Sequence, residues 1–275
     1  MAIMKKSVGV GVLPVLLLSL AGFFGCGGSD ESPTGAAELG EEIDLSIYEP
    51  ASLDDYEIVY SVNRDKAPLE SGVRFCSVET VLDYDPDTGQ DISIDCEVFE
   101  EESDGNNEPD VRVYKCGSYL YGVKTNETGR WGPLYRFIPR RQVAPEEHPR
   151  LGGTFDSKCS CLITRFTMFE TEYRQVQSFR SWTTYVAIED SITVPAGTFY
   201  SVLKTQEKMK ISTKQTLAAD TTAVVFNNLS EMTSTAWRAQ GIGAVKIIED
   251  GSLLHVEKEM VRGTVAGVSY PKETR

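Results

Sequence analysis

Few side chains in this sequence have the type and spacing to carry chemistry. Hydrolytic triads need a nucleophile and a base, the base usually histidine, and the chain has only His148 and His255. His148 sits in the polar run Pro145-Glu146-Glu147-His148-Pro149, the pattern of an exposed loop. His255 alternates with Leu254 and Val256, which places it on the outer side of a strand. No G-x-S-x-G elbow, H-E-x-x-H pair or phosphate-binding loop is present. Carboxylates number 41, so the presence of a pair discriminates nothing, a glycosidase pair included. No catalytic residue is assigned, and the chain reads as non-enzymatic.

A cation is the sharper chemistry. Asp85, Asp87 and Asp91, with Gly89 among them, set oxygens at alternate positions, as a hard ion such as calcium prefers. Counted as an EF-hand loop, position six is Gln90 and position twelve is Cys96, so the decisive Gly and Glu are missing. A hairpin turn built from Asp, Pro, Thr and Gly is favoured, with calcium the one cofactor left open. Arg130, Arg136, Arg140, Arg141 and Arg150 gather around Trp131, Tyr135 and Phe137. They could grip an anionic sugar or lipid headgroup through bidentate and cation–π contacts. Neutralisation of the acidic surroundings is the preferred reading.

Cys76, Cys96 and Cys116 are spaced by twenty residues, which suits neighbouring strands of a meander, so Cys96 could face either of the others. Cys159-Ser160-Cys161 supplies further disulfide candidates, and outside the cytoplasm thiols oxidise where geometry allows. Five cysteines besides Cys26 leave one over. A Cys-x-Cys pair also suits zinc, but no second close pair or histidine accompanies it, so the structural role is favoured.

Strand signals dominate the elements that must position these groups. Residues 56–62 are rich in aromatic and β-branched types, and Val78–Tyr84 and Ile92–Phe99 flank the turn Asp85–Gly89. Val111–Cys116 and Tyr119–Val123 continue the meander, and Ile163–Arg180 alternates in part. The clearest strand runs from Phe199 to Thr213. Leu203, Thr205, Glu207, Met209 and Ile211 share one face; Lys204, Gln206, Lys208 and Lys210 share the other. Val245–Ile248 and Leu253–Val261 form a closing hairpin around Glu249-Asp250-Gly251. Helix is expected to be scarce, a short piece around Thr213–Asp220 being the best candidate. The predicted fold is mainly β: a curved antiparallel sheet or incomplete barrel with few short helices. Its concave side would be lined by Trp182, Phe199, Leu203, Met209, Ile211 and Trp237, weak candidates for ligand contact.

The N-terminus supplies an address. Lys5 and Lys6 precede an apolar stretch from Val8 to Phe24, and no acid occurs before Asp30. Pro14, the interspersed glycines and the position argue for an export signal over a spanning helix. Gly25-Cys26 at the end of that stretch resembles the lipobox of bacterial lipoproteins, with Phe where the usual pattern has Leu and a small residue. The resemblance implies cleavage after residue 25 and acylation of Cys26, each buried methylene contributing about 0.8 kcal/mol to anchoring. Gly27 after the cysteine implies the outer membrane, by the sorting rule of such proteins. Expected segments are therefore a signal over 1–25, a lipidated cysteine with a flexible acidic tether over 26–45, and one β-rich domain over 46–275. Without Lys5 and Lys6 the chain keeps 25 basic residues against 41 acids, a net charge of −16. That balance opposes nucleic acid as a partner and leaves the membrane, reached through the anchor, and a lipid or envelope protein.

Two stretches in the C-terminal half add a second resemblance. Val194-Pro195-Ala196-Gly197-Thr198-Phe199, then Trp237 to Lys246 with Gly241 and Gly243, are similar to motifs of uncharacterised bacterial envelope proteins. The resemblance covers roughly residues 180–262 and implies a sheet like the LolA/LolB lipoprotein-carrier half-barrel, with a hydrophobic cavity for an acyl chain or lipoprotein tail. The residues themselves ask only for structure: Pro195 and Gly197 for a turn, Gly241 and Gly243 for a bend, Trp237 as an apolar plug. The leading expectation is a cell-envelope lipoprotein that binds an apolar or amphipathic ligand or a partner protein. The rival is a structural surface lipoprotein with calcium-braced loops and no ligand cavity.

Overall fold

The computed structural model describes residues 40–271, apart from 65–66, 86–89, 103–107, 128, 146, 169 and 252–253. Nearly everything described is strand. In chain order these are β1 (Glu57–Arg64), β2 (Ala67–Asp85), β3 (Gln90–Glu102), β4 (Val111–Cys116), β5 (Tyr119–Glu127), β6 (Arg130–Trp131) and β7 (Tyr135–Gln142). There follow β8 (Thr154–Met168), β9 (Thr171–Val194), β10 (Gly197–Leu217), β11 (Val224–Ala239), β12 (Gly243–Gly251), β13 (Leu254–Val265) and β14 (Val268–Tyr270).

Each strand pairs antiparallel with its neighbour in sequence, except that β7 follows β5 directly and β6 pairs only with β5. β1 returns to β13, from Glu57 opposite Thr264 to Asn63 opposite Glu257, so the sheet closes on itself. The expected mainly β, curved antiparallel architecture is found, and the barrel is complete rather than partial. Closure satisfies the edges that an open sheet would leave unpaired.

Alternation explains why these residues form these walls. Along β10, Leu203, Thr205, Glu207, Met209, Ile211 and Thr213 are buried, whereas Lys208 and Lys210 are exposed. Lysines along the outward phase make this a wall for water, not for hydrocarbon. Among the described residues no helix is long and apolar enough to cross a membrane. Inside, Tyr56, Ile58, Phe199, Val202 and Met260 belong to one apolar cluster. Leu120, Phe137, Phe179, Met209 and Ile211 belong to another. On β10, Thr205 and Glu207 separate Val202 from Met209, and on β13 Lys258 separates Val256 from Met260. A polar belt therefore divides the interior.

Because the strands run alternately up and down, the turns at 117–118, 195–196 and 240–242 and the loop 143–153 fall at one rim. Residues 40–56 cross that rim as a strap. Gly40 and Ile43 donate to the carbonyls of Leu151 (2.9 Å) and Pro149 (2.7 Å). Gly241 donates to Ile47 (2.7 Å), and Ala51 donates back to Gly241 (2.8 Å). Gly241 takes φ +69°, a conformation in which a side chain would be strained. Between these ties runs a short 3-10 turn, Leu45–Tyr48, capped by Asp44. Ile43 and Tyr48 pack on Tyr185 and Leu203.

Several local expectations change. Of the segment expected as a tether over 26–45, residues 40–45 belong to the strap, with Ile43 buried; the expected signal, Cys26 and residues 27–39 lie outside the described residues. The stretch near Thr213–Asp220 is not helix: β10 runs to Leu217, its residues paired to both β9 and β11. Ile163–Arg180 is the meeting of two strands, β8 and β9. Gly251 pairs with Leu254, so Glu249, Asp250 and Gly251 end a strand rather than form the turn. The Pro195-Ala196 turn does link Val194 to Gly197, whose φ is +138°.

The far part of the β2–β3 hairpin lies over the outside of β5 and β7. Tyr121 donates to the Leu82 carbonyl at 3.1 Å, and Arg136 and Arg140 both reach Asp83. Under it, Cys96, Val98, Tyr114 and Tyr121 make a small outer core. Cys96 is bonded to Cys116, which decides between the two partners the spacing allowed. Cys76, Cys159 and Cys161 are free thiols.

Candidate functional site

The strap covers a cavity of about 260 Å³ at the rim. Leu45, Tyr48 and Glu49 of the strap form one wall, with Val143 and Ala144 from the loop after β7 beside them. Glu97 of β3, Lys115 of β4, Tyr185 of β9, Thr205 of β10 and Arg238 of β11 complete it. A smaller space of about 90 Å³ lies against the same Tyr48, Glu49, Glu97, Lys115 and Arg238, bounded by Tyr56, Phe99 and Gly243. These five residues are therefore the shared partition of two adjoining spaces.

Tyr48 and Glu49 come from the strap; Glu97, Lys115 and Arg238 arrive from strands. Val111, Val113 and Lys115 alternate inward on β4, so the strand that supplies two core valines also supplies a cation. Lys115 Nζ lies 3.2 Å from Glu49 and 3.6 Å from Glu97. Burial pulls the Arg238 guanidinium below its usual pKa, opposed by Tyr185, Glu49, Tyr60 and Glu207. The chamber offers two cations, two carboxylates and aromatic and aliphatic surface together. That mixture can bind a small molecule bearing both charge and apolar surface.

Deeper in the barrel the polar belt holds two buried ion pairs. Arg141 lies 3.3 Å from Glu207, and Lys258 lies 3.3 Å from Glu249. Register places Ser234 opposite both Glu207 and Glu249, so the two carboxylates sit at one level, a strand apart. Burial raises the Glu207 carboxyl to about 7, although Arg141, Ser181 and Arg238 each hold it down. Burial raises Glu249 too, against the pull of Lys258. Among the described residues, Glu249 Oε1, Ser234 Oγ and both amide atoms of Gln177 have no hydrogen-bond partner.

Of the residues chosen for a concave ligand face, Phe199, Leu203, Met209 and Ile211 point inward, but each is packed in a core cluster. Trp182 and Trp237 share the phase of the outward lysines, Trp237 half-buried and packed also against the cluster that holds Phe199. Trp182 lies beside Arg180 and Lys210, and Trp237 beside Lys204 and Lys246, with its ring N–H donating to Glu189 at 3.0 Å. The six therefore do not form one surface. The arginines disperse as well: Arg141 is inside, Arg136 and Arg140 hold Asp83, and Arg150 pairs with Glu42. Of the calcium candidates, Asp91 is exposed on β3, opposite Tyr84. Asp87 and the side chain of Asp85 lie outside what is described. Among the described residues no group of three His, Cys, Asp or Glu could hold a metal ion. His148 is exposed, and His255 is exposed with Nδ1 at 2.6 Å from Asp250; neither lines the rim cavity.

No family model and no curated protein matches the chain. Two solved structures are similar in part. One is a provisionally named lipoprotein of Parabacteroides distasonis, 11% identical, with a TM-score of 0.38 over 81% of this chain and 100% of the other. The second, from Bacteroides fragilis, is a provisionally named exported protein with a YmcC-like fold, 10% identical, with a TM-score of 0.39 over 80% and 99% of the two chains. Likeness at this level transfers no function.

Proposed function

We propose that the chain is a non-enzymatic lipoprotein of the bacterial cell envelope, anchored through Cys26 and holding a small amphipathic ligand in the rim cavity. The address rests on Lys5, Lys6, the apolar stretch to Phe24 and the Gly25-Cys26 junction, with Gly27 favouring the outer membrane. The ligand reading rests on one observation: Lys115, Arg238, Glu49 and Glu97 share a cavity of about 260 Å³ with Tyr48, Tyr185 and Val143. A full acyl chain or lipoprotein tail fits poorly, because the inward apolar side chains are already packed against one another. The ligand class is therefore a compact molecule with a charged head, a lipid headgroup fragment or a free solute of that kind.

Two measurements test this. Metabolic labelling with tritiated palmitate should mark the chain, and Cys26→Ser should abolish the mark; a labelled Cys26→Ser chain would refute the anchor. Native mass spectrometry of the periplasmically expressed protein should show an adduct lost on denaturation and missing from Lys115→Ala. A clean apoprotein mass would favour the second reading, which the filled interior supports: a structural or partner-binding surface lipoprotein, its β2–β3 tip braced by calcium at Asp85, Asp87 and Asp91.

A further inference from the structure

Cys159 and Cys161 have no part in the core, the rim cavity or the disulfide. On β8, Ser157 pairs with Ser181 but Ser160 pairs with Phe179, so Lys158 and Cys159 together oppose Arg180. This bulge shifts the strand's phase by one residue. Ser157 and Ser160 both point inward, 1% exposed each. Lys158 and Cys159 consequently face out, and Cys161 follows them. Without the extra residue the alternation would put both thiols inside. Cys159 is exposed and Cys161 half-buried, with its sulfur 3.2 Å from Ser178 Oγ. The two thiols are also within hydrogen-bonding reach of each other, with Arg180 acting on Cys159.

Such a pair is badly placed for a disulfide. Residues two apart on an extended strand have Cα atoms about 6.6 Å apart with side chains parallel, whereas a disulfide needs Cβ atoms about 3.5–4.5 Å apart. Metal–sulfur bonds of about 2.3 Å span about 4.6 Å between two sulfurs, which parallel side chains reach by small rotations. We propose that Cys159 and Cys161 form a two-sulfur site for a thiophilic cation of low coordination number, cuprous ion being the type. A tetrahedral zinc site would need two more ligands, and among the described residues no third His, Cys, Asp or Glu stands with this pair. Soft thiolates select cuprous ion. Binding releases one proton from each thiol, and the resulting bis-thiolate complex carries a single negative charge. Lys158 and Arg180, on either side of Cys159 across the bulge, supply the compensating positive charge.

The test uses the full chain purified in detergent under anaerobic, reducing conditions, with the reductant removed before use. Cuprous ion is titrated in competition with bathocuproine disulfonate, whose copper complex is read by absorbance. One copper per chain should be withheld from the dye. Cys159→Ser and Cys161→Ser should each abolish that retention, while Cys76→Ser and Cys26→Ser keep it. X-ray absorption should show two sulfur neighbours. Thermal melts of the serine variants separate loss of ligand from loss of fold. No retention by the parent chain, or retention unchanged in Cys159→Ser with its melt intact, overturns the assignment. So does a mass spectrum showing Cys159 joined to Cys161 in protein isolated without reductant.

Discussion

Glu207→Gln should change how stability depends on pH, by an amount that follows from where the carboxyl sits. Glu207 is almost fully buried in the polar belt beside Arg141, and burial raises its pKa from the ordinary 4.5 to about 7. Between those two values the folded state holds a proton that the unfolded chain has released. Stability from this group is thus intact below about pH 4.5 and declines as pH rises to 7, after which it is level. The shift corresponds to a decline of about 3 kcal/mol. Glutamine keeps the shape and an acceptor for Arg141 but cannot ionise. Urea unfolding of both proteins at pH 4.5 and pH 8 gives the stability difference between them at each pH. Every titration shared by the two chains cancels in that comparison. The parent should lose about 3 kcal/mol relative to Glu207→Gln between the two conditions. A difference that is the same at both pH values would show that this carboxyl titrates normally, and the desolvation reasoning would be wrong.

Three other perturbations probe separate parts of the structure. Lys258→Ala leaves Glu249 buried without its cation and should cost about 3–5 kcal/mol in urea unfolding at pH 8, with Lys258→Met/Glu249→Leu recovering much of it. Replacing Cys96 and Cys116 by serine frees a 20-residue separation and should cost about 3 kcal/mol, measured against the parent under non-reducing conditions. Gly263→Ala would set a Cβ 2.5 Å from the Glu57 carbonyl oxygen at the seam where β13 meets β1. Amide hydrogen exchange should then rise first along β1 and β13; unchanged protection there would show that the seam yields without opening.

Alternation made much of this architecture legible. The inward set on β10, Glu207 included, reads directly from Leu203 to Ile211 because one buried face imposes a period of two. Closure does not read that way. Ile58 meets Gly263 across the seam, and a periodic pattern assigns a face without assigning a partner. Trp182 and Trp237 show the related limit. Their size suggests burial, yet Trp182 shares the outward phase of Lys208, its partner on β10. Bulges add a further error, since the extra residue near Cys159 reverses phase with no mark in composition. For the rim cavity a signal was present. Lys115 follows Val111 and Val113 at inward positions, as Lys258 lies between Val256 and Met260. A cation in phase with core residues is costly unless something answers it. Glu49, which answers Lys115, comes from the strap, 66 residues earlier in the chain, and no local pattern could supply it.

The strap also determines how the barrel would carry a mechanical load. A pull on the strap at Gly40 would load first its backbone bond to Leu151 and the return bond from the Leu151 amide to Glu41, then the bond from Ile43 to Pro149. These bonds would be loaded one after another, as in peeling, whereas the ring strands share force across whole ladders of bonds. The rim would therefore yield before the wall. A modest pull could lift Ile43 and Tyr48 from Tyr185 and Leu203, uncovering the chamber while all twelve strands of the ring stayed paired.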